Sequence, residues 1–556
     1  MTLEREWEKA KQLANKGYKI LEKEFSINLP APCMPTVSPT KDTGIGSPYT
    51  EGAKAFFDFF DGLFHKVLLG PTGKSFPPFY SPYESTYGCN PLLLDLEKLT
   101  TAEYGNLLSR KTLESIYARD KKETEINFVF VGRDYNKALL ECYERFEKNL
   151  DKRQPFAVFL NHKIKLLEKD CFAKNDALFW AHFSPRRYLF EEALGQIMAT
   201  GQDHLPYIAD MEVKLPDSLV VQKPEWFLKD FTLGSPADSF SDTERNWHFK
   251  IFDPDFIFDK KGQLGPAGQF LFDTFDCFFK SYSGGVRIDH FIGFINPFVI
   301  SGRKDIPSGR LYSSPENPVL KKYQKTSVDD FSNIIQKIIL PAAKKNNRIT
   351  YDIYPEDLGN RPEQMDAVME KCGLGRMLVS QFVVPQDPNH LYRLKNADKK
   401  DIAVLDTHDT ASVYDFFEKM PLAEREKHAH QLCQDLRFDY HQNLTSVKQL
   451  ARMKWAELLL SPAGRVQAFF TSLLGQEGRY NEPGNPKKWR LRCSYRFRDI
   501  YFENLIKGKA YNPLDAIALA IYARGDDFYR QNQTFVQALR QQEERLFEKI
   551  KDKYAF

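Results

Sequence analysis

Apolar residues recur at helical spacing over the first third of the chain and then fall into a repeating alternation. A polar amphipathic helix is predicted over 1–25, broken by Pro30, Pro32 and Pro35, with a loop running to Gly44-Ile45-Gly46. Ala53–Leu63 reads as a helix with one apolar face. Lys66-Val67-Leu68-Leu69 reads as a short strand closed by Gly70-Pro71-Thr72-Gly73. Ala138, Leu139, Cys142, Tyr143, Phe146 and Leu150 stand among Lys and Glu at helical intervals, so residues 100–200 are predicted to be mostly helical. A strand pattern returns at Tyr207-Ile208-Ala209-Asp210. From there helices over Gln269–Lys280, Val328–Ala343 and Pro362–Lys371 alternate with strands over Val286–Asp289, Arg348–Ile353, Met377–Phe382 and Ile402–Leu405. Helices dominate 411–460 and recur near the C-terminus. Repeating helix–strand units with polar strand ends predict a (β/α)8 TIM barrel, an α/β fold, with a large helical insertion and loop insertions on the C-terminal face of the strands. The division expected is an N-terminal helix and connecting loop over 1–43 and a barrel over 44–556 that includes the 100–200 insertion.

The candidate chemistry sits at strand ends. In Gly284-Gly285-Val286-Arg287-Ile288-Asp289-His290-Phe291, strand alternation puts Arg287 and Asp289 on one face. The cation is expected to hold the carboxylate ionised by lowering its pKa. Two more strands end in acids, at Glu356 and Asp409, and His290 and His408 flank the set. In a parallel barrel these tips share one crevice. Crowded carboxylates divide into one protonated and one ionised group, the division that glycoside chemistry needs. Singly, each acid has a plainer explanation: a structural ion pair for Asp289, a helix-dipole acid for Glu356, a helix cap for Asp409. A metal site built from His290, His408 and the acids is a further use of such a cluster, but neither histidine stands in an HxH or HExxH spacing.

Composition narrows the partners. With 78 basic against 75 acidic residues the net charge is +3, which predicts no nucleic-acid or membrane partner. Aromatics make up 14% of the chain and stud two loops, Phe79-Tyr80-Ser81-Pro82-Tyr83 and Gly234–Phe240 followed by Asn246-Trp247-His248-Phe249. Such loops suit the rim of a cleft for a flat-faced ligand. The eight cysteines are scattered without a CxxC pair, which supports neither a zinc knuckle nor a redox motif. The N-terminus is charged and unlike a signal peptide, and no run of about 18 apolar residues exists. The expected setting is cytoplasmic.

These motifs together resemble the amylomaltase family: 4-α-glucanotransferases, or disproportionating enzymes, of the α-amylase clan. The likeness runs from about Gly44 to Arg490. Gly70-Pro71-Thr72-Gly73 with Ser81-Pro82-Tyr83 is similar to the family's early substrate loop, and Asn90-Pro91-Leu92-Leu93 follows it. Val286–Phe291 is similar to the nucleophile motif, Glu356-Asp357-Leu358-Gly359 to the acid/base motif, and Thr407-His408-Asp409 to the third-carboxylate motif. Arg479-Tyr480-Asn481-Glu482-Pro483-Gly484 and Trp489-Arg490 resemble the closing signature.

The resemblance implies a retaining enzyme that moves α-1,4-glucan segments between maltooligosaccharides. It implies Asp289 as nucleophile, Glu356 as general acid and then base, and Asp409 as the residue that binds hydroxyls of the distorted donor. It also implies Arg287 as the cation holding Asp289, His290 and His408 as sugar-binding groups, Tyr83 and Trp247 as aromatic platforms, and Asp210 as an acid ending an earlier strand. Donor and acceptor would be maltooligosaccharides or glucans. No cofactor or metal is required, because both steps are carboxylate chemistry. Retention predicts that the Asp289 and Glu356 carboxyls lie about 5–5.5 Å apart. Departures fall at Glu212, where the family has Pro, at Glu244-Arg245 for Gly-Gln, at His248-Phe249 for Gly-Asn, and at Ala468 for an acid. The alternatives carried forward are a hydrolase of the same clan and a catalytically decayed glucan-binding protein.

Overall fold

The structure is a computed structural model that describes residues 2–75, 80–82, 89–149, 155–180, 184–200, 206–237, 243–482 and 488–554. Twelve strands are numbered here in chain order. They are β1 (Glu24–Asn28), β2 (Lys66–Leu68), β3 (Tyr207–Met211), β4 (Phe231–Ser235), β5 (Arg245–Phe249), β6 (Gly285–Ile288), β7 (Phe298–Ser301), β8 (Gly309–Arg310), β9 (Ile353–Pro355), β10 (Met377–Val379), β11 (Ile402–Val404) and β12 (Arg465–Phe469). Eight of them form one sheet in the order β10-β11-β12-β1-β2-β3-β6-β9. Every pairing in it is parallel. The order follows the chain and wraps round, so the sheet is a TIM barrel, as the alternation predicts.

The strands are short and buried on both faces, as parallel strands under helices must be. Two of them were not legible as strands. β1 follows the first helix (Leu3–Leu21), where the sequence reads as helix and loop, and β12 lies in a stretch read only as supporting positions. The strand predicted over Arg348–Ile353 lies later, at Ile353–Pro355, because Thr350–Asp352 turns as a 3-10 segment. Five helices between Arg110 and Thr200 carry the predicted helical region.

A second sheet was not foreseen. β5, β4, β7 and β8 pair antiparallel in that order. They are inserted after β3 and after β6, so this sheet stands over the C-terminal end of the barrel. The aromatic stretch around Trp247, read as loop, is its edge strand β5, whose residues are alternately half-buried and exposed.

The last strands in the sheet order, β9 and β10, leave a seam that side chains close. Asp357, just past β9, accepts the Met377 N–H at 2.8 Å and an ion pair from Arg361 at 3.0 Å. At the other end of the barrel, buried Arg465 of β12 donates to the carbonyls of Tyr351 and Ile353, both at 2.7 Å, and to Lys400 O at 2.5 Å. Its guanidinium also lies over the Tyr351 and Tyr354 rings, at 4.6 and 4.9 Å. Arg465→Ala would leave three carbonyls without their donor and a void among the rings. It is expected to cost about 3 kcal/mol, read as a clearly lower unfolding midpoint at fixed scan rate, and an unchanged midpoint would contradict the role given to this side chain.

Candidate active site

Gly285 opens β6 with φ +115, and a Cβ there would come within 2.3 Å of Asp352 O, so only glycine fits. The strand then delivers Arg287 inward. Register pairs Arg287 with Asp210 on β3 and with Tyr354 on β9. The ladder continues one residue past the strands: Asp289 N–H donates to Met211 O at 2.9 Å, and Glu356 N–H to Ile288 O at 3.0 Å. Asp289 and Glu356 therefore leave the ends of adjacent strands side by side.

Arg287 is buried and holds two carboxylates at once. Nη1 lies 2.5 Å from Asp210 Oδ1, and Nη2 lies 2.9 Å from Asp289 Oδ1. Asp210 is wholly buried, whereas the Asp289 side chain keeps 25% of its surface exposed, open to a ligand. The expectation of a lowered Asp289 pKa is corrected here. Burial raises it, Arg287 opposes that, Asp210 adds to it, and His408 and Asp409 act with opposite signs.

Glu356 is displaced further. Burial first, and the Asp289 charge second, push its carboxyl up to about 8. Arg287 and the His290 N–H, which donates to Glu356 Oε2 at 2.8 Å, only partly offset this. Burial and the Asp289 charge favour a proton on Glu356, and Arg287 favours the charge on Asp289. A charged carboxylate beside a protonated one supplies a nucleophile and an acid at neutral pH.

The third acid comes from the loop after β11. Asp409 is 48% exposed, and its Oδ2 lies 3.4 Å from His408 Nε2. Asn481 holds it from the far side, donating Nδ2 to Asp409 Oδ1 at 2.6 Å and its backbone N–H to His408 O at 2.9 Å. Arg479 donates to the Asp409 carbonyl. The Trp489 ring lies 6.3 Å from that of His408. These partners escaped the sequence reading, which had the 479–490 stretch only as a resemblance; its signal was a polar run between Gly478 and Pro483.

His290 has φ 44, a left-handed conformation that non-glycine residues rarely adopt. Its ring meets Trp247 edge to face, with centroids 4.5 Å apart. Burial, then Arg310 and Arg245, push its pKa down to about 3, so it is neutral, and its Nε2 is buried without a hydrogen-bond partner. The structure thus brings together Asp289, Glu356, Arg287, Asp210, His290 and Trp247, with His408 and Asp409 within electrostatic reach of Asp289. Tyr83 lies outside the described residues, as do parts of both aromatic loops. Among the described residues no group of three or more His, Cys, Asp or Glu side chains is arranged to hold a metal ion.

A parallel barrel with two acids side by side at adjacent strand ends suits chemistry at glycosidic bonds. Residues 211–497, more than half of the chain, match the family model described as 4-alpha-glucanotransferase, and the chain belongs to that family. A 4-alpha-glucanotransferase of Clostridium butyricum is 24% identical over 525 residues, 84% of this chain and 96% of that one. Two solved structures share the fold at 16% identity. Amylomaltase from Streptococcus agalactiae, in complex with acarbose, has a TM-score of 0.68 over 90% of this chain and 99% of its own. Amylomaltase from Corynebacterium glutamicum has 0.63 over 91% and 76%. The activity is that of the family, transfer between α-glucans, and neither the hydrolase nor the decayed binding protein is favoured.

The raised Glu356 pKa has a consequence for stability. Between the ordinary value of 4.5 and about 8 the folded state keeps a proton that the unfolded state releases. Stability attributable to this group is therefore present at low pH and is lost as pH rises through that window. Glu356→Gln removes the slope. Its melting temperature is expected to exceed that of the parent by a margin that widens from pH 5 to pH 8, reaching about 1–3 °C. A constant margin would contradict the shift.

Proposed function

We propose that the chain transfers α-1,4-glucan segments by a retaining double displacement, with Asp289, Glu356 and Asp409 as its catalytic carboxylates. The observation that carries this is the pair at the ends of β6 and β9: Asp289 on Arg287, and Glu356 pushed up to about 8 beside it. In the first step an Asp289 oxygen attacks the anomeric carbon. The bond to the leaving 4-oxygen breaks, its electron pair goes to that oxygen, and Glu356 delivers its proton there. A glycosyl ester on Asp289 results. In the second step the Glu356 carboxylate takes the proton from the 4-hydroxyl of an acceptor glucan. That oxygen attacks the same carbon and releases Asp289. Two inversions give net retention.

Arg287 keeps Asp289 charged at each turnover and binds its buried neighbour Asp210. Asp409 and His408 hold donor hydroxyls as the ring flattens toward an oxocarbenium ion. His290, neutral and with Nε2 lacking a partner, receives a sugar hydroxyl. Trp247, and Tyr83 from the early loop, are the aromatic platforms. Donor and acceptor are maltooligosaccharides or glucans. No helix among the described residues is long and apolar enough to cross a membrane. Cys33, Cys89, Cys142, Cys277, Cys372, Cys433 and Cys493 are free, which suits a reducing, cytoplasmic setting.

Incubation with maltotriose tests the reading. Transfer yields glucose together with a ladder of longer maltooligosaccharides, whereas shorter sugars alone would overturn it. Asp289→Asn is expected to lower the rate by at least about 10³-fold with the fold intact; near-parental turnover in that variant would remove Asp289 as nucleophile.

A further inference from the structure

We propose that Asp406, acting through Ser472, is a positioning residue that sets the place of Asp409. The inference rests on the reading of Asp409 as a group that holds the donor.

Asp406 follows β11 and is completely buried. The backbone ladder between β11 and β12 ends one residue earlier, where Leu405 N–H donates to Gln467 O at 2.8 Å. Beyond that point the chain leaves the sheet, and the Asp406 side chain continues the ladder in place of the backbone. Its Oδ1 accepts the Phe469 N–H at 2.8 Å, and its Oδ2 accepts the Ser472 hydroxyl. The same Ser472 oxygen accepts the Val413 N–H at 2.7 Å. Val413 begins the helix that follows the active-site loop. The segment Thr407–Ser412, which carries His408 and Asp409, is thus fastened at both ends to one hydroxyl.

Inside that frame the loop is bonded to itself. Thr407 N–H donates to Thr410 Oγ1 at 2.9 Å, and Asp409 N–H to Thr407 Oγ1 at 3.2 Å. Gln381 donates to Ala411 O at 2.8 Å. Asn481 holds the exposed side of Asp409, and the link from Asp406 through Ser472 holds the two ends of its loop.

Burial pushes the Asp406 carboxyl up to about 7, against the Phe469 and Ser472 donors. An ionisable group enclosed in this way opposes folding, and an apolar side chain would fill the space without that penalty. Of its two bonds, one holds the end of β12 at Phe469 and the other, through Ser472, reaches the far end of the Asp409 loop, which is the use its geometry points to.

The test compares the full chain with Asp406→Asn and Ser472→Ala, singly and together. Asn keeps the shape but has one acceptor oxygen for two donors, the Phe469 N–H and the Ser472 hydroxyl; Ala removes the shared hydroxyl. Rates are measured on maltotriose and on α-maltosyl fluoride, a donor whose fluoride departs without being protonated. Melting curves establish that each variant is folded at the assay temperature. Each single variant is expected to lose about tenfold or more in kcat on both donors, with KM unchanged. The double variant should be no worse than the weaker single one, because one chain of bonds has been cut twice.

Parental kcat in either folded single variant would overturn the inference. So would a loss on maltotriose that the fluoride restores, because the effect would then run through Glu356. Asp409→Asn is the control that separates the two levels. Its inactivity together with normal Asp406 variants sinks the positioning role alone, whereas full activity in Asp409→Asn removes the role of Asp409 itself.

Discussion

The bridge made by Arg287 is the interaction on which the rest of the site depends. One guanidinium joins Asp210 on β3 to Asp289 past the end of β6, at 2.5 and 2.9 Å. Without it two acids would face each other in a buried crevice, and at least one of them would hold a proton. With it, one buried acid and one reachable acid share a single cation. The charge then retained on Asp289 is part of what drives Glu356 up to about 8. The difference between Asp289 and Glu356 thus depends on burial and on one side chain of β6, two residues before Asp289.

Much of this was legible in the sequence because period and residue type agreed. Strand alternation placed Arg287 and Asp289 together, and repeating helix–strand units located Glu356 at a strand end; Asp409, expected at another, stands in the loop after β11. What stayed hidden depended on pairing across distance. β1 and β12 are neighbours in register, Glu24 with Arg465, yet lie at opposite ends of the chain, and a buried five-residue strand carries little period of its own. The sheet of β5, β4, β7 and β8 looked like loop because its strands are short and its edge is rich in aromatic and polar residues. The direction of the Asp289 shift could not be read from spacing, since burial, and not the nearest cation, is its leading cause. Asn481 was visible only as part of the closing signature, and Asp406 gave no warning, because a polar residue in a turn is usually only a turn residue.

A common device runs through the molecule: side chains complete what short strands cannot. Asp357 supplies the acceptor for Met377 N–H across the seam between β9 and β10, next in sequence to Glu356. Arg465 ties three carbonyls at the other end of the barrel. Asp406 extends the ladder beside the loop of Asp409. Strands of three or four residues leave their ends under-bonded, and Asp289 and Glu356, the proposed catalytic groups, stand at such ends. Buried charges there oppose folding, and they also leave each acid few orientations to choose from.

The central claim is that Asp289 becomes covalently attached to the glucan while Glu356 handles the protons. Glu356→Gln incubated with α-maltosyl fluoride tests it most directly, since the first step then needs no acid and the second lacks its base. Mass spectrometry of the digested protein is predicted to find a maltosyl adduct on the peptide containing Asp289. An adduct on another residue, or turnover of the fluoride with no adduct and with inverted product, would contradict the account.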